Sequence, residues 1–242
     1  MYLGTHLVRG RKKLISRKDI AFCRNGDKGP DLGIRKGRRT IWIEAIAPAK
    51  GDEKNLDKVP ELLSAGTSER IVHAAPRRQV ELRITSALYT KAQKFRRYHE
   101  DGIISEKDSC IVAISGGQFA LQAGTLGLPY VVTAVYPFGD EQIRIVHNTM
   151  KVIATQFTFS DIIKRAARPE DPIGRLAFHS DICRDISGII WSRSSIGNFS
   201  TIRHDLVYVH NQRGARPIPR RWARWSEEYY PLADALFRDR QG

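Results

Sequence analysis

Two carboxylates near the start of the chain have the spacing of a shared metal site. Asp31 follows Gly29-Pro30, and Glu44 lies within Trp42-Ile43-Glu44-Ala45-Ile46, with twelve residues between the two acids. Asp31 to Arg35 and Thr40 to Ala47 read as strands, because both are short β-rich runs separated by Lys36-Gly37-Arg38-Arg39, a glycine-containing hairpin connection. A tight hairpin brings Asp31 and Glu44 to neighbouring strand ends. Hard carboxylate oxygens placed there suit Mg²⁺, or Mn²⁺ in its stead, an ion that keeps several waters. Such an ion can orient a water and shield the charge of a phosphodiester.

The elements that must position these acids can be read around them. Residues 1–28 are polar and basic, an arm and loop with at most a short helix around Lys12 to Phe22. Gln79 to Tyr98 is the strongest helix: Ile84, Ala87, Leu88, Lys91, Phe95 and Tyr98 recur at spacings of three and four. Gly102 ends it. Cys110 to Ile114 is then a fully buried strand, stopped by Ser115-Gly116-Gly117. Asn55 to Ser64 and Ser68 to Ala74 read as short helical pieces. Val131 to Tyr136 and Gln142 to His147 read as strands around the turn Pro137-Phe138-Gly139-Asp140. Ile186 to Ser192 and Leu206 to His210 read as further strands, and Pro231 to Arg238 as a terminal helix. The order is that of an α/β fold with a mixed central sheet flanked by helices. One α/β domain over residues 29–242 is the working organisation, with a core at 29–150 and an extension at 151–242.

The run of Pro30-Asp31, strand, hairpin, strand with Glu44, and long helix resembles the PD-(D/E)XK, or restriction-endonuclease-like, nuclease superfamily over roughly residues 29–115. A second kinship, with bacterial proteins sharing a WIEAxAP-like strand, implies no activity. The superfamily resemblance implies that Asp31 and Glu44 are metal ligands, with the backbone carbonyl of Ala45 or Ile46 as a further oxygen. It also implies a lysine two residues after the acid, where this chain has Ile46. Lys50, just past Pro48, is one substitute. Lys91 is better placed, since superfamily members exist in which the lysine has migrated to this helix. A lysine inside an apolar stripe needs a carboxylate or phosphate nearby to offset its burial, or else snorkels to water from the stripe's edge. Gln93 and Tyr98 resemble a polar helix motif of some branches, at a different spacing. The helix with an acidic residue that many relatives carry upstream has only Asp19 and Asp27 to represent it here.

The charge distribution points to a polyanion. Net charge is +14. Residues 1–40 hold twelve Lys/Arg against three Asp, and residues 213–225 hold five Arg and no acid; the two segments account for the whole excess. Arg9, Arg11, Lys12, Lys13, Arg38, Arg39, Arg220, Arg221 and Arg224 are the candidate phosphate contacts, with Trp222 and Trp225 as candidate base-stacking rings. Three cysteines without CxxC spacing exclude a zinc ribbon or disulfide framework and fit a reducing, cytoplasmic setting. No apolar run reaches the roughly 20 residues of a membrane span, and no h-region follows the N-terminal charges. Ser115-Gly116-Gly117 lacks a phosphate-loop pattern, the histidines lack metal spacing, and His147-Asn148 and His210-Asn211 read as turns.

The expectation is a Mg²⁺-dependent nuclease acting on DNA rather than RNA, with Asp31, Glu44 and Lys91 catalytic and no membrane partner. Its rivals are a nucleic-acid-binding protein that keeps the fold without catalysis, and basic segments that engage an acidic protein.

Overall fold

A computed structural model describes residues 2–15, 29–61, 76–119, 128–194, 205–232 and 235–240. Its elements are α1 (Tyr2–Arg9), β1 (Leu14–Ile15), β2 (Leu32–Lys36), β3 (Arg39–Ile46), α2 (Arg77–Glu100), β4 (Ser109–Ser115), α3 (Tyr130–Val135), β5 (Phe138–Val146), β6 (Lys151–Phe159), β7 (Ile162–Ile163), β8 (Ile173–Gly174), β9 (Ile186–Ser192), β10 (Val207–His210), β11 (Glu227–Leu232) and β12 (Ala235–Arg240). The helical piece expected at Ser68 to Ala74 lies outside the described residues, as does most of the one expected around Lys12 to Phe22. Asn55 to Glu61 forms turns rather than helix.

The chain divides into two compact units. The first comprises Met1–Pro48, Ser86–Ala120 and Phe178–Gly242, and holds an eight-stranded sheet in the order β1-β2-β3-β4-β9-β10-β11-β12. The sheet is mixed: β3–β4, β4–β9 and β10–β11 pair parallel, while β1–β2, β2–β3, β9–β10 and β11–β12 pair antiparallel. The fold is therefore α/β with a mixed central sheet.

Strand pleating sorts this sheet into two faces. Ile34, Ile41, Ile43, Ile111, Ala113, Ile190 and Tyr208 share one core cluster with Leu7, Leu206, Ile218, Trp222, Ala223 and Trp225. The C-terminal half of α2 carries Phe95 and Tyr98, both buried, and its Lys91, Lys94 and Tyr98 meet Glu44 on the other face. Asp108 staples the start of β3 to β4: its carboxylate accepts from the Thr40 backbone N–H at 2.8 Å and from the Trp42 indole at 2.9 Å.

The second unit comprises Ala49–Thr85 and Leu121–Ala177. The β5–β6 hairpin and the short β7–β8 pair lie here. Its polar core is Glu81, fully buried. Glu81 accepts from Arg77 at 2.8 Å, Arg175 at 2.7 Å and the Thr133 hydroxyl at 2.6 Å. Arg77 and Arg175 also donate to the Phe138 carbonyl, so the start of β5 is fixed by the same cluster.

Three further segments depart from the sequence reading. Residues 131–135 of the run read as a strand lie in α3, after Pro129, with Tyr136 its extended C-cap; all six residues of α3 are buried, and for a fully buried run periodicity carries no signal while packing overrides β-branched propensity. Phe138, read as part of a turn, opens β5 instead. Of residues 231–238, read as a helix, 231–232 belong to β11 and 235–238 to β12, which pair antiparallel with Leu232 opposite Ala235. There β10 offers a parallel ladder to β11, a tertiary partner that helix-favouring composition does not reveal.

The N-terminal arm opens with the helix α1, which its composition does not suggest. Leu7, 1% exposed, lies in the core cluster beside the tryptophans. Leu7→Ala is expected to cost about 2–5 kcal/mol in urea denaturation, the range for emptying a buried leucine site; a loss below about 0.5 kcal/mol would mean that α1 is not part of the core.

Candidate active site

Glu44 sits in the middle of β3, completely buried, with its side chain toward α2. The sequence puts it there because β3 alternates: Ile41 and Ile43 enter the core cluster, so Glu44 must face the opposite way. A carboxylate in that position is costly unless its oxygens are satisfied. Lys91 Nζ donates to Oε2 at 2.6 Å, Lys94 Nζ to Oε1 at 3.0 Å and Oε2 at 2.9 Å, and the Tyr98 hydroxyl to Oε1 at 2.9 Å. The three donors stand at helix positions i, i+3 and i+7 of α2, one face of the helix. Tyr98 Oη also lies 2.9 Å from the Gly29 carbonyl, which ties the chain ahead of Asp31 to the same pocket.

Asp31 is one step beyond the Leu32–Ile43 pair of the β2/β3 register, opposite Glu44. Its Oδ2 accepts the Ala45 backbone N–H at 2.8 Å. Asp31 itself is exposed, in contrast to the buried Glu44 opposite it in register. Lys94 is open to solvent as well, with 41% of its side chain exposed against 13% for Lys91, and lies 5.4 Å from the Tyr98 ring centroid. Two ammoniums on Glu44 leave a net positive charge at the buried end, and Asp31 pairs with neither of them. An added divalent cation would turn the pocket into a site for an anion.

In kind, the donors suit Mg²⁺ or Mn²⁺, two carboxylates offering hard oxygens, of which only Asp31 is exposed to water. Among the described residues no group of three or more His, Cys, Asp or Glu side chains converges on a metal position, so the protein would contribute few ligands. Glu44 oxygens already occupied by ammoniums would have to be shared, and the exposed Lys94 is the one with room to move away.

Of the other residues read from sequence, Lys50 pairs with Glu61 at 3.5 Å, and Gln93 is exposed. Arg38 and Arg39 are exposed at the tip of the β2/β3 hairpin. Glu44 is five residues along the strand from Arg39, about 16 Å at the usual rise. Arg9, Arg11, Lys13, Arg220, Arg221 and Arg224 are exposed and Lys12 half-buried. Trp222 and Trp225 are not stacking platforms: both are buried, edge-on to each other at 5.1 Å and against Tyr208 at 5.8 and 5.3 Å.

His210 is not simply a turn residue either; buried, it meets Glu228 at 2.7 Å, and Glu228 also accepts the Arg221 backbone N–H. Burial pushes the Cys183 thiol up to about 12 and raises Cys110 still further, so neither is poised as a thiolate. Cys23 lies outside the described residues. The sequence reading missed Lys94. Its signal was the i, i+3 relation to Lys91 and the i+4 relation to Tyr98, visible only once Glu44 is known to sit beneath that helix face.

The chain matches no protein-family model, no curated protein and no solved structure.

No helix among the described residues is long and apolar enough to cross a membrane.

The exposures of its partners rank the contributions to Glu44. Glu44→Gln should be the most destabilising change, about 3–5 kcal/mol, because it leaves Lys91 buried without its counter-charge. Lys94→Gln should cost less than about 1 kcal/mol, because its ammonium is solvent-screened and Lys91 stays on Glu44, with Lys91→Met between them. Urea denaturation of the three variants checks the order; Lys94→Gln as the costliest would contradict it.

Proposed function

We propose that the protein is a metal-dependent nuclease that hydrolyses phosphodiesters in DNA, on a restriction-endonuclease-like core with a C-terminal extension. The observation that carries this reading is the 2.6 Å contact between Lys91 and Glu44. A lysine absent from the strand, where Ile46 stands, is supplied to the same carboxylate from the helix. The order of strand, hairpin, strand, long helix and buried parallel strand over residues 32–115 supports the core assignment.

Asp31 and Glu44 would hold the divalent ion. When bound, that ion would polarise the phosphodiester and offset its charge. Lys91, fixed by Glu44 and by the apolar stripe around it, would direct its ammonium at the attacking water or at the charge that develops on phosphorus oxygens. Tyr98 would hold Glu44 in orientation through its hydroxyl, and Lys94 would meet the incoming phosphate from the solvent side.

A second reading is favoured by one observation. All the contacts on Glu44 come from cations and a phenol, an arrangement that also serves a structural ion cluster. On that reading the protein binds nucleic acid without cleaving it.

Paired assays separate the two. Wild type is expected to cleave duplex DNA with Mg²⁺ or Mn²⁺ and not with chelator. Lys91→Met and Asp31→Asn should each lose about 10²–10³-fold in cleavage rate. Wild-type rates in Lys91→Met would remove Lys91 from the mechanism; no cleavage by folded wild type on DNA or RNA with any divalent metal would leave the binding-only reading.

A further inference from the structure

The two basic segments meet through residues 218 apart in sequence. His6 Nε2 lies 2.5 Å from the Arg224 carbonyl, and the His6 ring stacks on Trp225 at 6.0 Å. Leu7 enters the cluster that holds Ile218, Trp222, Ala223 and Trp225. Buried apolar residues at 218, 222, 223 and 225 alternate with exposed Arg220, Arg221 and Arg224, so packing the tryptophans inward turns the arginines outward. Among the described residues, no carboxylate pairs with Arg9, Arg11, Lys13, Arg213 or Arg224. In contrast, Arg216 is tied to Asp185 and Arg220 lies over the Tyr230 ring.

Two of these arginines occupy backbone positions that favour glycine. Arg11 has φ 59° and Arg221 φ 54°. At the end of α1, the N–H of Arg11 returns to the Val8 carbonyl and that of Lys12 to the Leu7 carbonyl, the helix-terminating motif whose left-handed residue is usually glycine. Gly10 stands one residue too early to serve. At the other segment, buried Glu228 accepts the Arg221 N–H on both oxygens, at 2.9 and 3.1 Å, and so holds the strained residue in place. Strained non-glycine backbone kept by its surroundings is a mark of functional placement.

The apolar side of this assembly packs on the Ile41, Ile43, Ile111 and Ile190 face of the sheet. Glu44 faces the other way. We infer that the end of α1 and segment 213–225 form a single phosphate-binding face for a nucleic-acid backbone, on the opposite side of the sheet from the Glu44 pocket. The choice of nucleic acid rests on the function proposed above; the location of the face does not. Such a face anchors a polyanion by contacts separate from those that would position a scissile bond, as backbone contacts do when they fix register without reading sequence.

The test measures binding of a fluorescent duplex to the full chain over a salt series, in chelator so that no cleavage intervenes. Arg9→Gln/Lys13→Gln/Arg224→Gln removes three exposed charges. It is expected to weaken binding roughly tenfold or more and to lower the slope of log affinity against log salt by about 2–3, close to 0.9 per lost contact. Arg11→Gly/Arg221→Gly, which relieves the left-handed positions, should lower the slope by about 2 and covers failure of the triple variant to fold. Lys107→Gln, an exposed lysine outside both segments, serves as the control and should leave the slope unchanged. Unchanged affinity and slope in the folded triple variant would overturn the inference. So would capture by wild type of phosphatidylserine vesicles or polyglutamate in preference to duplex. Because binding is read without metal, a wild type that binds but never cleaves would defeat the nuclease reading and leave this face standing.

Discussion

A fully buried carboxylate on a sheet face is the constraint around which the first unit is arranged. Glu44 cannot be moved to the surface, because its strand neighbours Ile41 and Ile43 fix the pleat. It cannot be left alone, because an unpaired charge there would cost several kcal/mol. The solution comes from α2, which must lie across β3 with Lys91, Lys94 and Tyr98 on one side of the helix. That requirement sets the rotation of α2 about its own axis. It also fixes the parallel β3–β4 crossover that the helix closes and, through Tyr98 and the Gly29 carbonyl, the entry of the chain at Asp31.

The second unit repeats the chemistry with different residues. Glu81, also fully buried, is matched by two guanidiniums and a hydroxyl, and those guanidiniums go on to hold the Phe138 carbonyl. The planar guanidinium can serve a carboxylate and a carbonyl together, which suits a structural clamp. Around Glu44 the cations are lysines, and one of them is substantially exposed. A compact ammonium on a flexible stem can leave one anion for another. This contrast is the physical ground for reading the Glu44 pocket, and not the Glu81 cluster, as the place where a ligand is exchanged.

The parts of this arrangement visible in sequence were those governed by local pattern. The β2/β3 hairpin was marked by Gly37 and its flanking strands, α2 by a stripe at spacings of three and four, and β4 by an unbroken apolar run. Lys91 could be singled out because a lysine within that stripe demands a counter-charge. What failed was decided by distant partners. Residues 131–135, mostly β-branched, are helical in a buried setting, while Pro231–Leu232 and Ala235–Arg238 are strand because β11 is held by β10 on one side and pairs with β12 on the other. Trp222 and Trp225 among arginines looked like stacking platforms; they are core residues whose burial turns the arginines outward. Lys94 was passed over because its position relative to Glu44 depends on how α2 is rotated, which no local pattern reports.

Whether Glu44 and Lys91 act as one unit can be measured without any assumption about substrate. In a double-mutant cycle, the stabilities of Glu44→Gln, Lys91→Met and the double variant are compared with wild type by chemical denaturation. A shared buried ion pair should make the double variant cost less than the sum of the singles by at least about 2 kcal/mol, within the range for residues in one network. Additivity within about 0.5 kcal/mol would show that the two side chains do not depend on each other, and would contradict the arrangement from which both the fold and the proposed chemistry are derived.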